Sequence, residues 1–296
     1  MKKDCVLITG ASSGFGLLLA ITFAEKGWNV VATMRDTAKA TLLVEEARKR
    51  NVAEQIIVKK LDVTNATELK MLKEQLHSDG INVQILINNA GYCQGGPTEG
   101  VAMEKWKHQF DTNVLGAIAV TKAFLPDMRK RRQGRIIMLS SISGRFGFPA
   151  LGPYSASKFA LEGFSESLRF EMLPFGVYVS LVEPGPYRTS IWEKGLEEAQ
   201  FSDDEDYKVI TQTLVAQATH SATSSNDPIS VVKKIVAISK VKRPKLRYPI
   251  GKSTKLMIIL KALLPMRMIE YVVLRKLNGK TQEYGSNERA GHNSKK

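Results

Sequence analysis

Thr9-Gly10-Ala11-Ser12-Ser13-Gly14-Phe15-Gly16 is the stretch that decides the fold. It follows an apolar run with β character at residues 5–9 and opens a helically spaced segment, 15–26, that ends at Gly27. A strand, a glycine-rich turn and a helix together can bind a pyrophosphate, because glycines let the backbone approach the ligand and the helix N-terminus offers unpaired N–H groups. The alternative is a tight turn whose glycines serve packing alone. Three glycines in this context favour the phosphate cradle.

The segments beyond this turn alternate between runs typical of strands and runs with helical spacing. Further strands are predicted at 30–33, 56–58, 84–87, 135–139, 178–183 and 246–248, and helices at 37–50, 66–77, 102–131, 153–174 and 229–239. Such alternation indicates parallel strands joined by right-handed crossovers. We therefore expect an α/β fold with a Rossmann-like doubly wound parallel sheet in a single domain.

The domain organisation follows from where this alternation stops. We expect one catalytic domain at 1–250, a C-terminal apolar and basic helical extension at 251–278, and a disordered tail at 279–296, which is polar and lacks periodicity. The apolar run after Met1-Lys2-Lys3-Asp4 is too short for a signal peptide, so the domain is expected to begin at once. The pattern is irregular from Tyr187 to Asn226.

Composition and charge exclude several classes of protein. Two cysteines, Cys5 and Cys93, are too few for a disulfide framework and are typical of a reducing compartment, so we expect a cytoplasmic protein. The four histidines never occur as close pairs, so no metal site is expected. Residues 240–280 contain twelve Lys or Arg and one acid, which gives this segment +11 of the net charge of +14. Since the remainder is nearly neutral, no nucleic-acid partner is expected.

Six motifs in the right order resemble the short-chain dehydrogenase/reductase family across residues 4 to about 250. They are the glycine turn at Thr9, Gly10, Gly14 and Gly16; Leu61-Asp62-Val63; Asn88-Asn89-Ala90-Gly91; Asn113-Val114-x-Gly116; Tyr154-x-x-x-Lys158 with an upstream serine; and Pro184-Gly185-x-x-x-Thr189. The resemblance implies a nicotinamide cofactor. Its expected binding residues are Thr9, Gly10, Ser12, Ser13, Gly14, Phe15, Gly16, Arg35, Asp62, Val63, Asn89, Ala90, Gly91, Tyr154, Lys158, Pro184, Gly185 and Thr189.

The end of the second strand predicts which nicotinamide cofactor is bound. In dinucleotide sites an acidic residue there bonds the 2′-hydroxyl of NAD, whereas an Arg accommodates the 2′-phosphate of NADP. By resemblance, Met34 stands where an NAD enzyme places Asp, and Arg35 stands where NADP enzymes place a basic residue. Ser13 could add a hydroxyl donor, whereas Asp36 could turn toward a free ribose hydroxyl. We predict NADP(H), with NADPH preferred.

Tyr154 and Lys158 are predicted to carry the proton chemistry. They are four residues apart on a predicted helix and therefore share one face. A phenol is a poor acid–base catalyst at neutral pH, and a nearby ammonium is expected to lower its pKa. Tyr154 would then give a proton to a carbonyl oxygen or take one from an alcohol.

The resemblance implies two further catalytic residues. The family places its substrate-orienting serine thirteen residues before the tyrosine, which selects Ser141 from Ser140, Ser141 and Ser143. Asn113 resembles the residue that bends its helix and holds a water, linking Lys158 to a proton relay.

Several segments resemble the 17β-hydroxysteroid and retinol dehydrogenase branch of the family, which acts on bulky apolar alcohols and carbonyls. These are 32–36, 124–128, 157–163 and 173–177. We therefore expect a steroid-, retinoid- or lipid-like substrate. A β-ketoacyl thioester reductase and a non-catalytic NADP-sensing protein remain alternatives. A homodimer or homotetramer built from the helices at 102–131 and 153–174 is expected by resemblance.

The basic C-terminal segment, 240–280, admits two interpretations. Its apolar stretches are interrupted by Lys261, Pro265, Arg267 and Glu270, so a membrane span is not expected. One interpretation is peripheral contact with an anionic membrane through 240–280. The other is a lid that packs over the pocket mouth with its basic residues in water.

Overall fold

Seven parallel strands form the central sheet of the computed structural model, which describes residues 3–201, 204–275 and 277. In chain order they are β1 (Lys3–Ile8), β2 (Asn29–Met34), β3 (Ile56–Lys60), β4 (Ile81–Asn88), β5 (Gly134–Leu139), β6 (Val177–Pro184) and β7 (Arg247–Ile250). Across the sheet the order is β3-β2-β1-β4-β5-β6-β7. The order reverses between β1 and β4, so a crevice opens at their carboxyl ends, where folds of this kind bind ligands.

The central strands are almost wholly apolar because both faces of the sheet are covered. In β1, Val6 and Ile8 face one buried cluster, whereas Cys5 and Leu7 face the other. The flanking helices supply the remainder of each cluster. This arrangement confirms the predicted Rossmann-like doubly wound sheet in a single domain.

Helices lie on both faces of the sheet. They are α1 (Gly14–Glu25), α2 (Thr41–Lys49), α3 (Ala66–Ser78), α4 (Met103–Phe110), α5 (Ala117–Arg131), α6 (Gly152–Met172), α7 (Ile191–Glu197), α8 (Lys208–Ser224), α9 (Ile229–Lys240) and α10 (Lys252–Leu263). Helices α1, α2 and α9 contribute to the cluster on one face, and α3, α5 and α6 to the cluster on the other.

The helix predicted at 102–131 is divided by a wide π turn, Asp111–Gly116, that joins α4 to α5. The helix predicted at 37–50 also divides, because the Asp36 carboxylate accepts a hydrogen bond from the Ala38 N–H at 3.0 Å and caps a separate short turn. In both cases the chain stays helical on either side, but the α-helical hydrogen-bond pattern is interrupted locally.

The prediction of irregular structure from Tyr187 to Asn226 is wrong, because this region contains α7 and α8. Helix α8 buries Leu214, Ala218 and Ser221 on one face, and it packs against α7. Two of these three side chains are small and one is polar. The buried face of α8 therefore lacks the large apolar residues by which a helix is identified in a sequence.

Residues after β7 form two helical stretches, α10 and 266–275, separated at Pro265 as predicted. Helix α10 is attached to the domain by Lys261, whose Nζ donates a hydrogen bond to the carbonyl oxygen of Arg145 and lies 5.0 Å from the centroid of the Phe159 ring. In the part of the chain described above, none of the helices has the length and apolar character needed to cross a membrane. The predicted tail at 279–296 lies outside the described residues.

Candidate active site

The glycine turn after β1 leaves open the space that a phosphate needs. Gly10 and Gly14 have φ angles of +68° and +56°, in the left-handed region that favours glycine. A Cβ on Gly16 would overlap the Gly10 carbonyl oxygen and lie 2.6 Å from the Asn89 side-chain nitrogen. Gly16 therefore lets the turn pack closely, while Gly10 and Gly14 line the cavity at the N-terminus of α1. This position suits an anionic group such as a dinucleotide diphosphate.

Thr9 and Asn89 hold the turn against the end of β4. The Thr9 hydroxyl oxygen accepts hydrogen bonds from the backbone N–H groups of Asn89 and Ala90, both at 3.0 Å. In return, the Asn89 side-chain amide donates to the carbonyl oxygens of Thr9 at 2.8 Å and Gly10 at 2.9 Å. The cradle is therefore fixed in shape by neighbouring strand ends.

One cavity at the carboxyl ends of the strands brings the predicted residues together. All predicted cofactor-binding residues except Thr9 and Gly16 line it, and so does Ser141. Thr9 and Gly16 shape the turn from behind. Asn113 lies behind Gly91, on which a Cβ would meet the Asn113 side-chain oxygen at 3.0 Å.

Arg35 and Asp62 lie at one end of this cavity, after β2 and β3. Arg35 is exposed. Asp62 Oδ1 accepts hydrogen bonds from the Thr64 backbone N–H at 2.9 Å and from its hydroxyl at 2.7 Å. Burial acts to raise the pKa of Asp62, but these bonds, with the charges of Arg35 and His108, hold the pKa below its ordinary value. Two opposite charges thus face the cavity at this end.

Tyr154 and Lys158 lie together on α6 at the other end of the cavity, and both are buried. The Lys158 Nζ is 5.6 Å from the centroid of the Tyr154 ring and donates a hydrogen bond to the Leu139 carbonyl oxygen at 2.7 Å. Burial lowers the pKa of Lys158 to about 8. The ammonium is therefore oriented by the end of β5.

The predicted lowering of the Tyr154 pKa is not found in this structure. Burial raises the pKa of Tyr154, with a smaller contribution from Cys93, and a hydrogen bond with Ser141 offsets only part of the rise. Desolvation disfavours the phenolate more than these neighbours favour it. Tyr154 is accordingly a neutral phenol that can donate a proton.

Ser141 is the serine that the structure places at Tyr154. Its side chain lies near enough to Tyr154 to lower the pKa of that phenol, and its hydroxyl oxygen accepts a bond from the Ser143 backbone N–H at 3.1 Å. Ser140 instead faces Gly144, on which a Cβ would lie 2.8 Å from the Ser140 hydroxyl oxygen.

Asn113 occupies the π turn between α4 and α5 and is buried. Its side-chain nitrogen donates to the Tyr92 carbonyl oxygen at 3.0 Å and to the Ser157 hydroxyl at 3.2 Å. Its side-chain oxygen accepts from the Tyr92 N–H at 3.1 Å. Asn113 thereby joins this turn to the segment after β4 and to α6, at the residue that immediately precedes Lys158.

The segment after β6 returns across the cavity to the glycine turn. The Gly185 N–H donates to the Ile250 carbonyl oxygen at 2.9 Å, which attaches the segment to β7. Thr189 then faces Gly14, on which a Cβ would lie 3.6 Å from the Thr189 Cβ. We call residues 187–200, which include α7, the strap. The strap residues Tyr187, Ser190, Ile191, Trp192 and Lys194 line the cavity and were missed because their region shows no regular pattern.

An apolar cluster borders Tyr154 beneath the strap. It comprises the buried residues Cys93, Ala150, Leu151, Tyr154 and Leu214, with Phe148, Ile191 and Ile210 packed against them. Burial raises the pKa of the Cys93 thiol to about 12, so this wall is uncharged at neutral pH. The reactive end of the cavity is therefore suited to apolar groups. Among the described residues, no group of three or more His, Cys, Asp or Glu side chains could hold a metal ion.

Comparison with known proteins identifies one family. A model of the short chain dehydrogenase family matches residues 4–200. The chain is 43% identical over 280 residues to the "uncharacterized oxidoreductase YusZ" of Bacillus subtilis, covering 94% of this chain and 99% of that protein. It is 38% identical over 251 residues to retinol dehydrogenase 8 of Homo sapiens, covering 82% and 79%. It is 35% identical over 256 residues to 17-beta-hydroxysteroid dehydrogenase type 1 of Homo sapiens, covering 84% and 77%.

Solved structures share the arrangement of the sheet. A short-chain dehydrogenase from Streptomyces avermitilis has a TM-score of 0.75 and 29% identity, covering 98% of each chain. The closed form of serine dehydrogenase complexed with NADP+ has a TM-score of 0.72 and 26% identity, covering 83% of this chain and 94% of that chain. The carboxyl-edge cavity is thus found in a fold that holds a nicotinamide dinucleotide.

Proposed function

The chain belongs to the short-chain dehydrogenase family, whose members are oxidoreductases acting on CH–OH groups, and within it we propose an NADP(H)-dependent enzyme for bulky apolar alcohols and carbonyls of steroid-, retinoid- or lipid-like chemistry. The observation that carries this proposal is the position of Tyr154, which lines the cavity together with Ser141 and belongs to an apolar cluster under the strap. The names of the retinol and 17-beta-hydroxysteroid dehydrogenase relatives support the same substrate class.

In the proposed mechanism Tyr154 is the group that donates a proton to the substrate oxygen. A bound nicotinamide supplies or accepts the hydride. In the reductive direction Ser141 holds the substrate oxygen by a hydrogen bond, and Tyr154 donates its phenolic proton to that oxygen. Lys158, fixed by the Leu139 carbonyl, places a positive charge beside the phenol as its negative charge develops. The apolar cluster excludes water from the reacting carbon.

A substrate panel with NADPH tests this function. Steroid, retinoid, β-ketoacyl thioester and small carbonyl substrates would be compared by the loss of reduced-nicotinamide absorbance. We expect the highest kcat/KM with an apolar steroid- or retinoid-like ketone or aldehyde. A preference for the thioester would instead support the β-ketoacyl reductase alternative, and no turnover with any carbonyl would contradict the proposal.

Arg35 is proposed to select NADP(H). It faces the cavity at its outer end, and the neighbouring Asp36 carboxylate is engaged in capping the turn after β2 rather than directed at a ribose. Arg35→Ala should cost about 1.5–3 kcal/mol of NADPH binding, the contribution of a charged hydrogen bond, and change NADH binding little. Fluorescence titration of both cofactors measures this. Arg48→Ala, at an exposed position on α2, is the matched control, and equal losses for both cofactors would assign Arg35 a structural role.

The C-terminal segment is proposed to contact an anionic membrane surface without spanning it. Large apolar side chains that would pack inward under the lid interpretation are exposed, among them Leu256, Leu263, Met266 and Tyr271. They stand among the basic residues of 240–280, which carry +11 of the net charge. An apolar surface flanked by cations is the composition of interfacial helices.

Vesicle co-sedimentation tests this contact. Each Lys or Arg near an anionic surface contributes about 1 kcal/mol, so changing Lys255, Arg267 and Arg275 together to Glu should reduce binding to anionic vesicles by more than about 10-fold. Wild-type binding should fall at high salt and be weak on neutral vesicles.

A variant with the same charge change elsewhere is the control for that experiment. Lys26, Lys39 and Lys107 are exposed and lie outside the segment. Their combined change to Glu should leave vesicle binding largely intact. Equal losses in both triple variants would mean that net charge, and not this segment, governs the association.

A homodimer or homotetramer built from the helical regions 102–131 and 153–174 is also proposed. Phe170 on α6 and Leu115 in the π turn before α5 expose more than half of their surfaces, at 65% and 55%. Apolar side chains of this size on neighbouring helices favour burial against a second copy. The mass in solution by light scattering tests the assembly.

A further inference from the structure

Two buried carboxylates lie behind the reactive end of the cavity. Glu162 is on α6, one turn beyond Lys158, and Glu183 is near the end of β6. Their side chains are 6% and 0% exposed. Because burial of a charged group is costly unless the group is paired, the partners of these two acids indicate what they contribute.

Two arginines from other elements bind this pair. Arg247 of β7 donates from Nε to Glu162 Oε2 at 2.9 Å and lies 3.6 Å from Glu183 Oε1. Arg145, which follows the turn at Ser141, donates to Glu183 Oε1 at 3.1 Å. Within the described residues, Glu162 Oε1 and Glu183 Oε2 are buried and accept no hydrogen bond. The arginines therefore join α6, β6, β7 and the serine turn, while one oxygen of each acid stays unpaired.

Glu162 is also a close neighbour of Lys158. The two residues are four positions apart on α6 and therefore share one face, and both are buried. A Cβ on Gly144 would lie 3.1 Å from both Glu162 Cγ and the Lys158 carbonyl oxygen, so the turn after β5 packs closely against this part of α6. Since bulk solvent hardly reaches either side chain, their charges interact with little screening.

The Glu162 carboxylate is the anion that offsets the burial of Lys158 near neutral pH. Burial lowers the pKa of Lys158, and the groups that act against this effect are Cys93 and Glu162. Cys93 keeps its proton, because burial raises its pKa to about 12, and Tyr154 is neutral for the same reason. Burial and the charge of Glu162 also raise the pKa of Glu183, so Glu162 is the acid of the pair that ionises first.

We propose that Glu162 is a positioning residue of the active site, whose buried carboxylate, held by Arg247, keeps Lys158 charged beside Tyr154. The inference rests on the proposed mechanism, in which that charge supports the proton donor. Arg247 binds one carboxylate oxygen, and the other is shared with no second donor among the described residues. Without this negative charge the buried ammonium would release its proton at a lower pH, and reductive turnover would fall at a lower pH with it.

Glu162→Gln tests this assignment, because the amide keeps the size of the side chain and an oxygen for Arg247 but carries no charge. In wild type, reductive kcat is expected to fall to half near the Lys158 pKa of about 8. In the variant this midpoint should move down by about 0.5–1 pH unit. In a Lys158→Arg background, where the guanidinium stays charged, the same substitution should cause no shift.

Glu166→Gln is the matched control. Glu166 lies one turn further along α6 and accepts a bond from the same arginine, Arg247, at 2.8 Å, but its side chain is 45% exposed. Its pH profile should match wild type. An equal shift in both variants would assign the effect to the net charge around Arg247, and a loss of turnover at every pH in Glu162→Gln without a shift would assign Glu162 a structural role only. Either result would overturn the proposal.

Direct titration of Lys158 separates this inference from the function on which it rests. In protein isotope-labelled at the lysine ε-carbon, Lys158→Met identifies the Lys158 signal in NMR spectra. Its titration midpoint should be lower in Glu162→Gln than in wild type by about the shift of the turnover midpoint. An unchanged midpoint would overturn the proposal whether or not a substrate is found, whereas absence of turnover with every carbonyl would overturn the proposed function alone.

A second variant covers the case in which Glu162→Gln does not fold. Glu162→Met combined with Arg247→Met removes both partners of the ion pair, a replacement that proteins often tolerate better than the loss of one partner. Because Glu162 acts on the pKa of Lys158 directly, the Lys158 midpoint should again fall. A midpoint equal to that of wild type would contradict the role of the carboxylate.

Discussion

Tyr154→Phe is expected to lower turnover by about 10²–10⁴-fold while leaving cofactor affinity nearly unchanged. The substitution removes only the phenolic oxygen, which carries the proton in the proposed mechanism, and keeps a ring that packs against Cys93 and Leu151. Steady-state kinetics with the best substrate of the panel, together with titration of NADPH, measures both quantities.

Tyr178→Phe is the matched control, because Tyr178 lies on β6 with its ring against Arg135 and Arg169, away from the cavity. It should retain wild-type turnover. Retention of most activity in Tyr154→Phe would eliminate the phenol as the proton donor. A loss of cofactor affinity as large as the loss of turnover would instead indicate a collapsed site.

Lys158→Met is expected to lower turnover by more than about 10²-fold and to weaken cofactor binding as well. Lys158 contacts both the phenol ring and the end of β5. In the proposed mechanism its ammonium supports the proton donor, and by family resemblance it is expected to bind the nicotinamide ribose. Steady-state kinetics and titration of NADPH measure these two effects. Lys233→Met, at an exposed position on α9, is the control.

The pH profile distinguishes the charge of Lys158 from its size. Burial lowers the pKa of Lys158 to about 8, so the ammonium is present below that pH and is lost as the pH rises through it. Tyr154 keeps its proton over this range, because burial raises its pKa. Reductive turnover should therefore fall above about pH 8, and Lys158→Arg, whose guanidinium stays charged, should not show this fall. A flat wild-type profile over roughly pH 6 to 10 would contradict a role for the charge.

The sequence could predict which residues lie together at the cavity because most of them directly follow strands. The turn at Gly10, Arg35, Asp62 and Ser141 each occupy the carboxyl end of a different strand, and parallel pairing places such ends on one edge whatever the details of packing. Short apolar runs of three to five residues were enough to locate those strands.

What escaped prediction depends on tertiary packing. Helix α8 has no marked apolar face, since two of its buried positions are Ala218 and Ser221, and its position is decided by contact with α7. The rise in the Tyr154 pKa likewise comes from burial under the strap, which sequence spacing does not measure. Lys194 was missed for the same reason, because its contact with Ser13 exists only when the strap is folded over the glycine turn.

The strand order β3-β2-β1-β4-β5-β6-β7 places the residues proposed to bind the adenosine end of the cofactor on one side of the sheet and those proposed to react on the other. Arg35 and Asp62 follow strands on one side of the reversal, whereas Ser141, Tyr154 and Thr189 follow strands on the other. Because changes at independent sites contribute nearly additive free energies, we expect that the proposed cofactor preference can be exchanged while the proposed chemistry is retained. The strap is an exception to this independence, because the contact of Lys194 with Ser13 joins the two sides of the sheet. Substitutions in the strap are therefore expected to affect both cofactor binding and turnover.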